Sequence, residues 1–157
     1  TVLYRQTRVG RAQRNFEVLK FRSMIENAEQ DGGVRWADKD DDRVTRVGSV
    51  TREYRIDELP QIFNVLRGQM SFVGPRPERP EFAKDLAKKI PYYLKGHYVK
   101  PGITGWAQLK YPYGDSDKDA LEKLQYDLYY AKNYSLLFDL VILLQTVEVV
   151  LFGKGAR

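Results

Sequence analysis

A chain of 157 residues is the size of one domain and long enough to bury a core without covalent staples. It has no Cys and a single histidine, His97, which excludes disulfide frameworks, thiol nucleophiles and multi-histidine metal sites. Its 26 basic and 21 acidic side chains leave a net charge of +5, a moderate excess suited to phosphates, nucleic acid or an anionic membrane surface. In chain order, Arg5, Arg8, Arg11 and Arg14 all precede the first acid, Glu17, which fits an anionic lipid surface and equally a solvated hairpin. No signal peptide is visible, and Thr1 opens the chain without Met in what reads as strand. The expectation is a membrane anchor upstream.

Residues 2–9 and 15–22 read as two strands joined by a turn at Gly10-Arg11, the second alternating Phe16, Val18 and Lys20 with Glu17, Leu19 and Phe21. Ser23-Met24-Ile25-Glu26 has capping-box spacing and predicts a helix that stops at Gly32-Gly33. The acidic run Asp38 to Asp42 is no calcium loop, because its sixth position is Arg43 and its twelfth is Ser49. Asp57-Glu58-Leu59-Pro60-Gln61 opens a predicted helix in which Leu59, Ile62, Phe63 and Leu66 share one face and Gly68 ends the run.

Pro75 and Pro77 make a rigid loop around Arg76. A short helix is expected over 81–90, a turn entering an extended piece at Pro101 to Trp106, and a helix over 119–132. The last predicted helix, about Ser135 to Phe152, carries a narrow polar stripe of Ser135, Asp139 and Thr146 beside a wide apolar face. Asp139 and Glu148 argue against a membrane span. A buried core helix is the expectation, with a helix lying in the membrane interface as the sharper alternative. Neither a repeat nor a linker interrupts the chain, so residues 1–157 read as one domain.

The chemistry centres on Asp57 and Glu58. At a helix N-terminus, free N–H groups and the helix dipole favour negative charge, so one carboxylate should stay ionised, able to attack phosphorus or hold a divalent cation. The same two residues also suit a helix start with no catalytic role. Their surroundings favour chemistry. Arg52 lies five residues before Asp57, and Arg76 stands between two prolines as a pre-organised partner for phosphate oxygens. Two carboxylates with Mg²⁺ and two stiff arginines suit a pyrophosphate substrate. This reading requires Asp57 to be open and near both arginines.

The chain resembles the bacterial sugar transferase family, the monotopic polyprenyl-phosphate phosphoglycosyl transferases. The resemblance is carried by Lys20-Phe21-Arg22-Ser23-Met24, by Asp57 through Leu66, by Met70-Ser71-Phe72-Val73-Gly74-Pro75-Arg76-Pro77, by Lys100 through Gln108, and by the region from Asn133 to Asp139. It implies a catalytic dyad of Asp57 and Glu58, with Asp57 forming a covalent phosphosugar intermediate and helping to bind Mg²⁺. It also implies phosphate handling by Arg52 and Arg76, and a re-entrant hydrophobic anchor ahead of the domain. Leu109 to Gly114 stands where many smaller members carry an Asn-Gly-Arg-like stretch, so the chain is closer to the larger exopolysaccharide-type members.

Lys100, before a Pro-Gly turn, is a further candidate phosphate contact, and a surface lysine explains it more simply. Trp106 suits stacking on a ligand or, more often, core packing. Tyr126, Tyr129 and Tyr130 are expected at the domain edge. Capping or buried pairing accounts for Asp127 and Asp139, and His97 has no assigned role.

The expected fold is α+β, a helix-rich single domain with a small antiparallel hairpin, resting on the cytoplasmic face of the bacterial inner membrane. The expected partners are a UDP-sugar, polyprenyl (undecaprenyl) phosphate and the membrane surface, with Mg²⁺ as cofactor. The oligomeric state is open, a homodimer included. Two rivals compete. One is a non-catalytic membrane-surface or scaffold module. The other is a nucleic-acid-binding domain, opposed by the nearly matched acidic count and the lack of any nucleic-acid motif, so no nucleic acid is expected as partner.

Overall fold

The computed structural model describes residues 2–26, 28, 41–111 and 116–151. Strands β1 (Leu3–Val9) and β2 (Asn15–Phe21) form the expected antiparallel hairpin, in register from Leu3 opposite Phe21 to Val9 opposite Asn15. On β2 the alternation turns Val18, 1 % exposed, inward, and Lys20 shares its parity.

The helix predicted from Ser23 is absent over its first residues. Met24 instead forms an antiparallel bridge with Val44, and the Ile25 N–H donates to the Arg43 carbonyl at 2.9 Å. The Ser23 carbonyl accepts from the Thr45 N–H at 3.0 Å, so these backbone groups serve a long-range pairing rather than a helix turn. Gly32-Gly33 and Asp38 to Asp40 lie outside the described residues. Asp41 is described, and it grips the Arg43 guanidinium at 2.5 and 2.7 Å.

Helix α1 (Arg46–Glu53) was not expected, since its apolar residues are too sparse to show a periodicity. Thr45 caps it by accepting from the Gly48 N–H at 2.9 Å. A Cβ on Gly48 would sit 1.9 Å from the Ser23 carbonyl oxygen, so glycine alone lets α1 approach the end of β2.

The helix expected from Asp57 is in fact a 3-10 turn, Ile56–Gln61, running into the short α2 (Ile62–Leu66). As expected, Gly68 follows with φ +74°. Asn64 on α2 is fully buried. Its amide donates to the Glu17 carbonyl at 2.7 Å and to Gln69 Oε1 at 2.9 Å, and its Oδ1 accepts from the Leu19 N–H at 3.0 Å. One side chain thus ties the turn carrying the dyad to β2.

Strand β3 (Ser71–Val73) pairs in parallel with β4 (Gly102–Thr104), a second two-stranded sheet that the sequence did not announce. Gly74 and Gly102 cross so closely there that a Cβ on Gly102 would lie 2.1 Å from the Gly74 nitrogen. Helix α3 (Pro80–Lys89) matches expectation. A 3-10 turn at Tyr93–Tyr98 follows. Trp106 opens helix α4 (Trp106–Lys110) rather than an extended piece. Helix α5 (Asp117–Asn133) starts on a capping box between Ser116 and Asp119, and α6 (Leu136–Leu151) closes the described chain.

The architecture is α+β, with apolar packing in two clusters. Val9, Leu86, Ile90, Tyr93 and Leu124 join β1, α3 and α5, while Val73, Tyr130 and Ile142 join β3, α5 and α6. Tyr130 is therefore a core residue, 4 % exposed, and not an edge residue; Tyr129 does lie at the edge.

The expectation of a buried last helix is overturned. On α6 only Ile142 is buried, while Leu136, Leu137, Leu140, Leu144, Val147 and Leu151 are exposed. Among the described residues no helix is long and apolar enough to cross a membrane. Polar contacts root the inner stripe of α6: the Thr146 and Thr104 hydroxyls lie 2.8 Å apart, and the Tyr130 hydroxyl donates to Asp139 Oδ1 at 2.8 Å. The face formed by Leu59, Ile62, Phe63 and Leu66 is likewise exposed.

Candidate active site

Asp57 and Glu58 occupy the 3-10 turn that follows Arg55, whose φ of +54° turns the chain sharply after α1. No side chain caps this turn, and among the described residues nothing donates a hydrogen bond to the Asp57 carboxylate. Helix capping therefore does not explain Asp57. The α-helix proper begins only at Ile62, so the full dipole of a long helix is not what steadies the dyad.

The two carboxylates are held differently. Glu58 Oε1 accepts from Arg76 Nη2 at 2.8 Å and lies 3.4 Å from Lys20 Nζ, whereas its buried Oε2 has no hydrogen-bond partner among the described residues. Burial alone would raise the Glu58 pKa, but Arg76, Lys20 and Arg55 together pull it down to about 2. For Asp57 burial wins. Desolvation, with help from the Glu58 charge, pushes its pKa up against the opposing charges of Lys20, Arg52 and Arg76. Neighbouring carboxylates whose environments push them apart are a common arrangement in catalytic sites.

The basic residues come from separate elements. Arg52 on α1 donates from Nε to Ser23 Oγ at 2.9 Å, and its charge reaches Asp57. Arg76 sits in the irregular segment 74–79 between Pro75 and Pro77. Lys20, on β2, was not among the residues expected at the site; its inward parity with Val18 was the signal available. Burial lowers the Lys20 pKa, opposed chiefly by Glu58. Arg8, Val18, Lys20, Gln61, Arg76, Pro77 and Gly102 line a narrow cleft at this point.

Asp57, Glu58, Arg52 and Arg76 are thus brought together, and Lys100 stands apart. Lys100 is exposed and its ammonium lies beside Gly68, past the end of α2. The requirement of an open Asp57 is not met, since the residue is only 8 % exposed, so of the two stated conditions only nearness to both arginines is satisfied. Trp106 packs edge-on against Phe138 at 5.1 Å with Lys110 over its ring, which is core packing. His97 meets the Tyr93 ring at 5.5 Å, and its buried Nδ1 has no hydrogen-bond partner among the described residues.

Among the described residues no cluster of three or more His, Cys, Asp or Glu side chains could hold a metal. Mg²⁺ commonly takes one or two carboxylates and completes its shell with water and substrate phosphates. The undonated Asp57 carboxylate and the orphaned Oε2 of Glu58 suit that kind of site.

The family model described as bacterial sugar transferase matches residues 1–153. The chain is 49 % identical to a UDP-N-acetylgalactosamine-undecaprenyl-phosphate N-acetylgalactosaminephosphotransferase from Aeromonas hydrophila, over 99 % of this chain and 37 % of that protein. It is 44 % identical to UDP-glucose:undecaprenyl-phosphate glucose-1-phosphate transferases of Xanthomonas campestris pv. campestris and Escherichia coli K12, over 99 % of this chain and 32 and 34 % of theirs. The chain therefore spans about a third of the length of these curated relatives.

Proposed function

Because the chain belongs to the bacterial sugar transferase family, we propose that it transfers a sugar 1-phosphate from a UDP-sugar to undecaprenyl phosphate, an early membrane step of exopolysaccharide or glycoconjugate synthesis. Two carboxylates held next to Lys20, Arg52 and Arg76 carry this reading.

In the first half-reaction an Asp57 carboxylate oxygen bonds to the β-phosphorus while the bond from that phosphorus to the bridging oxygen breaks, and UMP leaves with the electron pair. In the second, an oxygen of undecaprenyl phosphate bonds to the same phosphorus and Asp57 is released. Splitting the exchange keeps each step a single displacement. Burial makes Asp57 a poorly hydrated nucleophile once ionised, and the three neighbouring cations oppose its protonation. Reaching it requires the packing over the dyad to open. Glu58, ionised at neutral pH, holds Lys20 and Arg76 in place.

Arg52 and Arg76 bind phosphate oxygens. Asp57 and the free Oε2 of Glu58 are the ligands available to Mg²⁺. When bound, the metal neutralises diphosphate charge that would repel the carboxylate. The exposed apolar faces of α2 and α6 suit contact with the cytoplasmic face of the inner membrane, where the lipid acceptor lies. That surface also fits a non-catalytic membrane module, so turnover has to decide.

UMP release is the measurement. With undecaprenyl phosphate, Mg²⁺ and a panel of UDP-sugars, at least one sugar should release UMP, and Asp57→Asn should lower the rate at least about a hundredfold. Liposome binding without UMP release for any sugar would leave the membrane module as the function.

A further inference from the structure

Glu78 lies two residues beyond Arg76 and takes no part in the chemistry above. Its Oε1 accepts from Lys123 Nζ, on α5, at 2.6 Å. Its Oε2 is 3.9 Å from Arg8 Nη1, on β1. The same Arg8 nitrogen donates to the Pro77 carbonyl at 3.2 Å, and the Val9 N–H donates to the Glu78 carbonyl at 2.9 Å. The segment that follows Arg76 is therefore fastened by its backbone to β1 and by the Glu78 side chain to α5. Pro75 and Pro77 restrict the backbone angles around Arg76, but they do not decide where the loop is seated. Those fastenings do.

The ion pair is largely out of water, with the Glu78 and Lys123 side chains 17 and 25 % exposed. Such a pair stabilises a fold no better than apolar side chains of similar size, so stability alone is a poor account of it. Its position gives a better one. At the other end of the same segment Arg76 reaches Glu58 at 2.8 Å and lines the cleft together with Arg8. A guanidinium that has to meet a diphosphate with two well-aligned hydrogen bonds tolerates little displacement of its backbone.

We propose that Glu78, through its ion pair with Lys123, is a positioning residue that seats the Arg76 loop for binding of the substrate diphosphate. The proposal rests on the transferase reading and extends it to residues remote from the reacting atoms.

A double-mutant cycle tests it, read both as the affinity for UDP with Mg²⁺ by calorimetry and as kcat/KM for UMP release. Glu78→Gln should weaken both by about tenfold or more, since small misplacements of a binding group cost that much. The same substitution in an Arg76→Ala background should have an effect of less than about twofold, because residues that act through one another are not additive. Lys123→Met should reproduce Glu78→Gln. Should a single variant fail to fold, as judged by its melting curve, the paired Glu78→Gln/Lys123→Met protein, which removes both members of that ion pair, takes its place in the cycle. Equal losses in both backgrounds, or no loss from Glu78→Gln, would overturn the positioning role while leaving the transferase reading intact. A wild-type protein that neither binds UDP nor releases UMP would overturn the transferase reading, and this proposal with it.

Discussion

Adjacent in sequence and both buried, Asp57 and Glu58 are driven in opposite directions by their neighbours. Glu58 lies between Arg76 and Lys20, so its ionised form is favoured in the fold. A carboxyl whose pKa falls from 4.5 to about 2 on folding contributes stability that is present above pH 4.5 and lost as the pH falls through about 2. That shift corresponds to roughly 3 kcal/mol at neutral pH. Glu58→Gln should therefore be less stable than wild type at pH 7, and the gap should close toward pH 2, as followed by denaturant titration across that range. Parallel stability curves for the two proteins would remove the ion-pair account of Glu58.

Among the elements, α2 and α6 decide how the site is mounted. Asn64 gives α2 three buried hydrogen bonds to β2 and Gln69, so Asn64→Ala leaves the Leu19 N–H and the Glu17 carbonyl without that partner. The expected cost is about 3 kcal/mol in denaturant unfolding; a loss under about 1 kcal/mol would mean the turn is held by other contacts. On α6, Leu140 and Leu144 are 51 and 64 % exposed. Replacing both with Glu should leave stability within about 0.5 kcal/mol, as for other surface changes, yet abolish co-sedimentation with anionic liposomes. Undiminished sedimentation would place the membrane contact elsewhere.

The elements also mark where the sequence was legible. The hairpin, α3, α5 and α6 announce themselves because each is long enough to show its period. Strands β3 and β4, at three residues each, show none and exist through their pairing. The bridge between Met24 and Val44 defeats a local capping signal at Ser23 for the same reason, since long-range pairing outcompetes it. The burial of α6 was misread because a helix that is apolar over most of its surface reads the same in sequence whether that surface is packed or left exposed. At the site, Asp57, Glu58, Arg52 and Arg76 could be picked out from local sequence and resemblance. Lys20 was not, although it shares the inward parity of Val18 and opens one of the resembling stretches, because it meets Glu58 across 38 positions and only folding brings it there.

For the molecule as a whole, the excess of basic over acidic side chains acts through where it is gathered. Lys20 from β2, Arg52 from α1 and Arg76 from the segment after β3 meet at one carboxylate pair, while Glu78 and Lys123 fasten that segment to α5. Removal of any one element displaces a charge that the others cannot replace. The proposed function makes a specific chemical claim: Asp57 carries the phosphosugar between donor and acceptor. Incubation with a UDP-sugar labelled in its β-phosphate, without undecaprenyl phosphate, tests this directly. Wild-type protein should retain label at Asp57 and lose it when the lipid phosphate is added, and Asp57→Asn should take up none. Equal labelling of the two proteins, or UMP release by the wild type with no label on Asp57, would contradict the account.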